Sequence, residues 1–95
     1  MTYLEQLADT IRDCLADGVE SPGDGPDLFL LYAVLLTAKG VAVTNRDVHD
    51  AWVAWMLLRG EQHPAMVPFE LLDDDVKAED APFAAAIRRA ASRAR

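Results

Sequence analysis

Two histidines and two tryptophans carry most of the side-chain chemistry of this 95-residue chain. His49 stands one helical turn before Trp52, and His63 precedes Pro64 in a segment that also contains Phe69. Aromatic faces with imidazoles beside them can stack on, and hydrogen-bond, a flat ligand such as a base. The same imidazoles can instead serve the fold, with His49 bonded to a loop carbonyl and His63 holding a turn. The sequence is therefore consistent with two interpretations, a ligand site and a purely structural junction of helix and loop.

Other chemistry finds little support in the residue types. Ser21 and Ser92 are the only serines, and neither stands in a motif that activates a hydroxyl. Cys14 lies on a predicted apolar stripe, where a thiol is inert packing. A lone cysteine can form neither an internal disulfide nor a Cys-rich zinc site. The two histidines do not have the spacing of metal ligands. From these residue types together we expect no catalytic residue, no metal and no cofactor.

The charge balance bears on partners. The net charge is −7, which argues against general nucleic-acid binding and against an anionic membrane surface. The last turns of the chain are basic, with Arg88, Arg89, Arg93 and Arg95. The helix macrodipole favours basic side chains at the end of a helix, which explains them, and nucleic-acid contact through these arginines is the minority interpretation. The first residues lack the basic region of a secretory signal, so we expect a cytoplasmic protein.

An uninterrupted apolar run, residues 28–36 (LFLLYAVLL), sets the predicted architecture. It contains no charge and no helix breaker, and a helix that is apolar on every side must be surrounded by protein or lipid. Because the run is about half of the ~20 residues that cross a bilayer, we expect protein around it. The run therefore predicts a central buried helix on which more amphipathic helices pack.

Capping residues and breakers divide the rest of the chain. Thr2 with Glu5, and Thr44 with Asp47, have the spacing of a capping box, and Asp80 is expected to cap the last helix. Prolines hold the residues before them out of the α region. We therefore predict an all-α fold, a compact bundle forming one domain over residues 1–95. Its main helices are predicted at about 2–17, 26–39, 44–59 and 80–93, with a short helix at about 73–79 and an extended His-Pro/Val-Pro segment at 61–69.

Part of the chain resembles a known family. Residues 47–53 (DVHDAWV), 63–72 (HPAMVPFELL) and 75–80 (DVKAED) together resemble the ryanodine-receptor repeat (RyR) domain, over about residues 44–90. That family has a His-x-x-Trp step on a helix, then a His-Pro…Val-Pro-aromatic segment, then an acidic helix containing lysine. It usually also has a Trp-Tyr-Gly-like strand and a longer insert before the His-Pro step. Here only residues 60–62 separate Arg59 from His63, so no site that uses the insert can be carried over.

The whole chain also resembles small uncharacterised proteins of actinobacteria and their phages. The shared features are the segments YLEQLA at 3–8, LYAV at 31–34 and AWVAWM at 51–56. The RyR resemblance implies a cytoplasmic regulatory or interaction module. For prokaryotic relatives it implies signalling or phage conflict, with a nucleotide or a partner protein bound. It also implies that one junction of helix and loop gathers the candidate ligand-binding residues, which are His49, Trp52, His63, Pro68 and Phe69.

Two functions follow as predictions. The first is a non-catalytic protein-interaction or regulatory module, with self-association as one form. Trp55, Met56 and Leu57 point in successive directions around one helix, so they cannot all face the same core, and at least one is a candidate contact. The second is a sensor of a small, nucleotide-like ligand that uses the corner of His49, Trp52 and His63.

Overall fold

The computed structural model describes residues 2–19 and 27–93, and the predicted all-α fold is confirmed there. No strand is present in these ranges. The helices are α1 (Tyr3–Asp13), α2 (Asp27–Lys39), α3 (Asn45–Leu58), the short α4 (Asp74–Ala78) and α5 (Ala81–Arg93). One 3₁₀ turn, Gly40–Ala42, follows α2, and a second, Phe69–Leu71, precedes α4. None of these helices is long and apolar enough to cross a membrane.

Helix α2 lies at the centre, as the apolar run predicted, and packs against α1, α3 and α5. Its buried residues include Leu28, Phe29, Tyr32 and Ala33, each exposed by 1% or less. Helix α5 faces them with mostly small side chains, and such residues allow helices to approach closely. Val34 is nevertheless 48% exposed, so α2 is not covered on every side. Residue 26, where this helix was predicted to begin, lies outside the described residues.

The first helix is shorter than predicted. It ends at Asp13, not at residue 17, and Gly18 lies in the turns beyond it with a positive φ of 84°. The α-helical pattern is already lost at Leu15, whose amide donates to the Arg12 carbonyl three residues back. Arg89 of α5 binds the chain just beyond this end, because its Nε and Nη2 donate to the Cys14 carbonyl oxygen at 3.0 and 2.6 Å. A contact with the far end of the chain therefore fastens the end of α1.

Both predicted capping boxes are present. The Thr2 hydroxyl accepts from the Glu5 amide while the Glu5 carboxylate accepts from the Thr2 amide, and Thr44 and Asp47 repeat this at α3. At its other end α3 closes on Gly60, whose φ is +70°. The Gly60 and Glu61 amides donate to two carbonyls of the last turn of α3, a pattern that needs a left-handed residue and therefore favours glycine.

The segment that follows α3 is not extended throughout, so that prediction was wrong in part. The Met66 amide donates to the His63 carbonyl at 3.0 Å and closes a turn, and Phe69 already begins the second 3₁₀ turn. The His63 side chain stabilises the turn, since its Nδ1 accepts from the Ala65 amide at 3.0 Å. Prolines restrict the backbone of the residues before them, while the turn itself is closed by the backbone bond and the imidazole bond of His63.

Candidate functional site

A cavity of about 830 Å³ lies between α3 and the irregular segment that runs on through α4 into α5. We call it the cleft. Helix α3 contributes Trp52, Trp55 and Met56 to one wall. The opposite side is formed by residues 61–83, with Val76 and Phe83 among its apolar members. Tyr32 reaches the cleft from α2. The volume is in the range of sites that hold small organic ligands.

Four aromatic rings of the predicted corner lie together. The His63 ring meets Trp52 edge to face, with the ring centres 5.3 Å apart. The His49 ring lies 5.9 Å from Trp52 and 6.0 Å from Phe69. His49, Trp52 and His63 line the cleft, whereas Phe69 lies behind His49, and Pro68 precedes it outside the lining. The structure thus brings three of the five predicted residues to the cavity and uses Phe69 to support one of them.

His49 connects the two sides of the cleft. It is 3% exposed, and its Nε2 lies 2.7 Å from the carbonyl oxygen of Val67. A carbonyl only accepts, so Nε2 carries the proton and donates it to this bond. The bond fixes the loop on α3 and leaves Nδ1 as the ring nitrogen not used by Val67. The histidine therefore has the structural role that the sequence allowed, at a position that also lines the cavity.

Tyr32 is a site residue that sequence reasoning missed. It is 1% exposed, yet its hydroxyl has no hydrogen-bond partner among residues 2–19 and 27–93. No fully buried side-chain nitrogen or oxygen of these residues lacks a partner, so the hydroxyl is not fully enclosed, and Tyr32 is one of the residues that line the cleft. The signal was a tyrosine inside a run of aliphatic residues, because a buried phenol needs a partner for its hydroxyl.

Asp80 is the second missed residue. It lies immediately before α5, where the sequence predicted a cap, but its carboxylate accepts no hydrogen bond from the described part of the chain. The side chain is half-buried and lines the cleft instead. Burial raises the pKa of Asp80 to about 6; the His49 charge lowers it and the Glu79 charge raises it. Burial and then the charge of Asp80 raise the pKa of Tyr32, and both residues line the cleft.

The lining of the cleft is acidic. Four carboxylates, those of Glu61, Asp73, Glu79 and Asp80, face one guanidinium, that of Arg59. Arg59 is already engaged, because its Nη2 bonds Glu61 at 3.2 Å and its guanidinium carbon lies 4.4 Å from the centre of the Trp55 ring. Among the described residues, no group of three or more His, Cys, Asp or Glu side chains is placed to hold a metal ion.

The three residues predicted to form an interaction surface lie in different environments. Trp55 and Met56 are buried, at 4% and 7% exposed, and contribute to the floor of the cleft. Leu57 is 65% exposed and its neighbour Leu58 is 78% exposed. Only Leu57 of the predicted set therefore stands at the surface, because the helix turns the two larger side chains towards the core.

Two of the C-terminal arginines are used by the fold. Arg88 donates to the Val43 carbonyl at 2.8 Å, and Arg89 donates to that of Cys14. These bonds connect α5 to the link after α2 and to the end of α1. Arg93 is exposed, and Arg95 lies outside the described residues. Nucleic-acid contact through this tail would therefore have fewer free guanidinium groups than the sequence offered.

Comparison with known proteins adds a family. A family model described as a domain of unknown function (DUF7701) matches residues 2–92, nearly the whole chain. No curated protein and no solved structure gives a significant match. The match agrees with the predicted membership of an uncharacterised family. The resemblance to the RyR domain and the actinobacterial or phage origin stay predictions.

Proposed function

We propose that this chain, which belongs to the DUF7701 family, is a non-catalytic binding module and that the cleft is its binding site. One observation carries the proposal. The Tyr32 hydroxyl, without a partner in the described chain, and the half-buried Asp80 carboxylate both line a large cavity walled by aromatic side chains. Small-ligand sites are mostly apolar cavities with a few polar groups that fix the ligand's orientation, so two such groups at one cavity favour a ligand.

The residue types of the lining favour binding over catalysis. The cleft presents no serine, threonine, cysteine or lysine among its described lining residues, so hydroxyl, thiol and amine nucleophiles of these types are missing there. His49 is committed to the Val67 carbonyl and His63 to the Ala65 amide. These bonds hold both rings in fixed orientations, in which they can stack on a ligand. Ligand recognition requires no change in these side-chain orientations.

Intrinsic fluorescence is the direct test, because the only two tryptophans of the chain both line the cleft. A panel of small fragments is titrated while tryptophan emission and melting temperature are followed. Ala65→Phe fills the cleft from a partly buried lining position, and Ala38→Phe adds the same ring at an exposed position on α2. We expect fragment binding to be lost in Ala65→Phe and kept in Ala38→Phe. Binding that is equal in both variants, or absent from the wild type, contradicts the proposal.

A second candidate function, self-association, is favoured by a separate apolar patch. Leu58 and Val34 are 78% and 48% exposed, and they border a shallow cavity of about 410 Å³ with Leu4, Leu30 and Leu31. Exposed apolar patches often mark contact surfaces. Sedimentation velocity over a concentration series tests this, with Leu58→Asp as the disrupting variant and Leu71→Asp, at another exposed leucine, as its control. Self-association that Leu58→Asp leaves unchanged excludes the patch.

A further inference from the structure

We propose that the cleft selects an organic cation, a protonated amine or guanidinium on an apolar body, and that Asp80 is its counter-ion. This inference rests on the proposed function and adds the chemical class of the ligand. It differs from the nucleotide-like ligand predicted from the sequence, because the sign of the charge in the cleft decides against a phosphate.

The first support is the balance of charge. The lining holds four carboxylates and one guanidinium, and that guanidinium is bonded to Glu61 and covers the Trp55 ring. Asp80 is half-buried, so its charge acts more strongly than a charge in open water, while Glu61, Asp73 and Glu79 are exposed and add to the negative sign of the local field. A phosphate or carboxylate ligand would meet net repulsion there, whereas a cation would be attracted.

The second support is that Asp80 has no cationic side chain bonded to it within the described chain. Lysine and arginine side chains on neighbouring elements are directed elsewhere. Lys77 lies over the Phe69 ring, at 5.5 Å from its centre, while Arg88 and Arg89 donate to backbone carbonyls. His49, the one basic group whose charge acts on Asp80, bonds Val67 through Nε2. The half-buried Asp80 carboxylate is therefore available to a ligand, which would compensate the part of its hydration that burial removes. The raised pKa of Asp80 agrees with a carboxylate that lacks compensation.

The third support comes from a residue on another helix. Tyr32 of α2 is almost fully buried, and it lines the same cleft as Asp80, with no hydrogen-bond partner for its hydroxyl in the described chain. A hydroxyl oxygen can accept one N–H of an ammonium while a carboxylate accepts another. The apolar body of such a ligand would contact Trp52, Met56 and Phe83. Aromatic faces also attract organic cations directly.

Three probes that share a phenyl ring and differ in charge test the inference: phenethylammonium, phenylethanol and phenylpropanoate. Binding is measured by isothermal titration calorimetry and by tryptophan emission. We expect the order of affinity ammonium, alcohol, carboxylate. Asp80→Asn should weaken the ammonium by about tenfold or more, because a charge-assisted hydrogen bond is lost, and should leave the alcohol nearly unchanged. Asp50→Asn, an exposed acid of α3 outside the cleft lining, is the matched control and should change nothing.

A second pair of probes distinguishes two sources of the cation. N-acetyl-lysine methylamide and N-acetyl-arginine methylamide present the side chains of a partner protein without a free backbone charge. Affinity equal to or above that of phenethylammonium assigns the cation to a partner's side chain, and weaker affinity assigns it to a small amine. Tyr32→Phe should weaken the tighter cation while keeping the fold.

The inference is overturned if phenylpropanoate binds as tightly as phenethylammonium, or if Asp80→Asn leaves the affinity for the ammonium unchanged. Its failure is separable from failure of the binding module. If neutral or anionic fragments bind the wild type and fail to bind Ala65→Phe, the cleft is a binding site but does not select a cation. No fragment of any charge binding in the cleft would remove both.

Discussion

Two aspartates at helix starts show opposite solutions to the same problem. Asp47 opens α3 and is 8% exposed, with its two oxygens accepting from the Lys39 ammonium at 2.9 Å, the Thr44 amide at 2.9 Å and the Thr44 hydroxyl at 3.1 Å. Asp80 precedes α5 and accepts no hydrogen bond from the described residues. Burial alone would raise the pKa of Asp47, but the bonds from Lys39 and Thr44 and the Lys39 charge lower it.

The contrast separates what stabilises this fold from what is left for a ligand. Each hydrogen bond that the chain donates to the Asp47 carboxylate favours its charged form, so the charge stabilises the folded state. At Asp80 the folded state favours the protonated carboxyl, so its charge at neutral pH opposes folding. A group that opposes folding and faces a cavity is typical of a binding site.

The largest effect is expected from Asp47→Ala. Loss of the cap and of the bond to Lys39 should lower the free energy of unfolding by about 2 kcal/mol at neutral pH. Because the folded pKa of Asp47 lies below its ordinary value of 3.8, the contribution is fully present above that value and is lost as the pH falls through the folded pKa. Urea denaturation at several pH values measures it.

Asp50→Ala is the control for this prediction, since Asp50 is exposed on the same helix. It should change the free energy of unfolding by less than about 0.5 kcal/mol. Equal losses in the two variants would mean that the capping box contributes nothing beyond a general charge effect.

The next effect has the opposite sign. Asp80→Asn should raise the free energy of unfolding at neutral pH by about 1 kcal/mol, a figure reduced for the solvent that screens a half-exposed group. The groups facing Asp80 are Tyr32 of α2, His49 of α3 and the neighbouring Glu79. The folded pKa of about 6 lies above the ordinary 3.8, so the wild type becomes more stable relative to the variant as the pH falls between them.

Paired urea denaturation of the wild type and Asp80→Asn checks this pH window. The two proteins should differ most at neutral pH and converge below about pH 3, where the wild-type carboxyl is protonated in both states. An asparagine variant that is less stable than the wild type at neutral pH would show that the carboxylate has a partner in the folded chain, and the comparison with Asp47 would break.

A smaller loss is expected from Lys39→Gln. The Lys39 side chain is half exposed, and such ion pairs contribute about 0.5 kcal/mol. The Thr44 bonds to Asp47 should persist, so most of the stabilisation at this aspartate should survive. Denaturation with and without about 1 M NaCl separates the two contributions, because salt screens the exposed pair and leaves the cap. A loss as large as that of Asp47→Ala would assign the stability to the ion pair.

The cap of α3 could be predicted because its geometry is local. Thr44 and Asp47 are three residues apart, and that spacing alone brings the side chains to the backbone amides. Lys39 could not be added, because its approach depends on how α2 and α3 are joined by the 3₁₀ turn. The predicted end of α1, at about residue 17, was wrong, and the contact that fastens its actual end could not be predicted either, since Arg89 lies 75 residues from Cys14.

The candidate site was predicted only on one side. The ring positions of His49, Trp52 and His63 follow from the step along α3 and from the loop that returns to it, which are neighbours in the sequence. Tyr32 and Asp80 come from other elements, and each has a satisfactory local interpretation, as a core residue and as a helix cap. Only the packing of α2 and α5 on α3 shows that both face one cavity.

The smallest effect is expected at the other missed residue, and it tests the same contrast with hydroxyls in place of carboxylates. Tyr32→Phe should change the free energy of unfolding by less than about 0.5 kcal/mol, because its hydroxyl bonds nothing in the described chain. Thr44→Val removes a hydroxyl that both donates to Asp47 and accepts from its amide, and should cost about 1–2 kcal/mol. Urea denaturation of both variants decides. If the two losses are equal, the folded chain already supplies the Tyr32 hydroxyl with a partner. Only the acidic lining of the cleft would then favour a ligand.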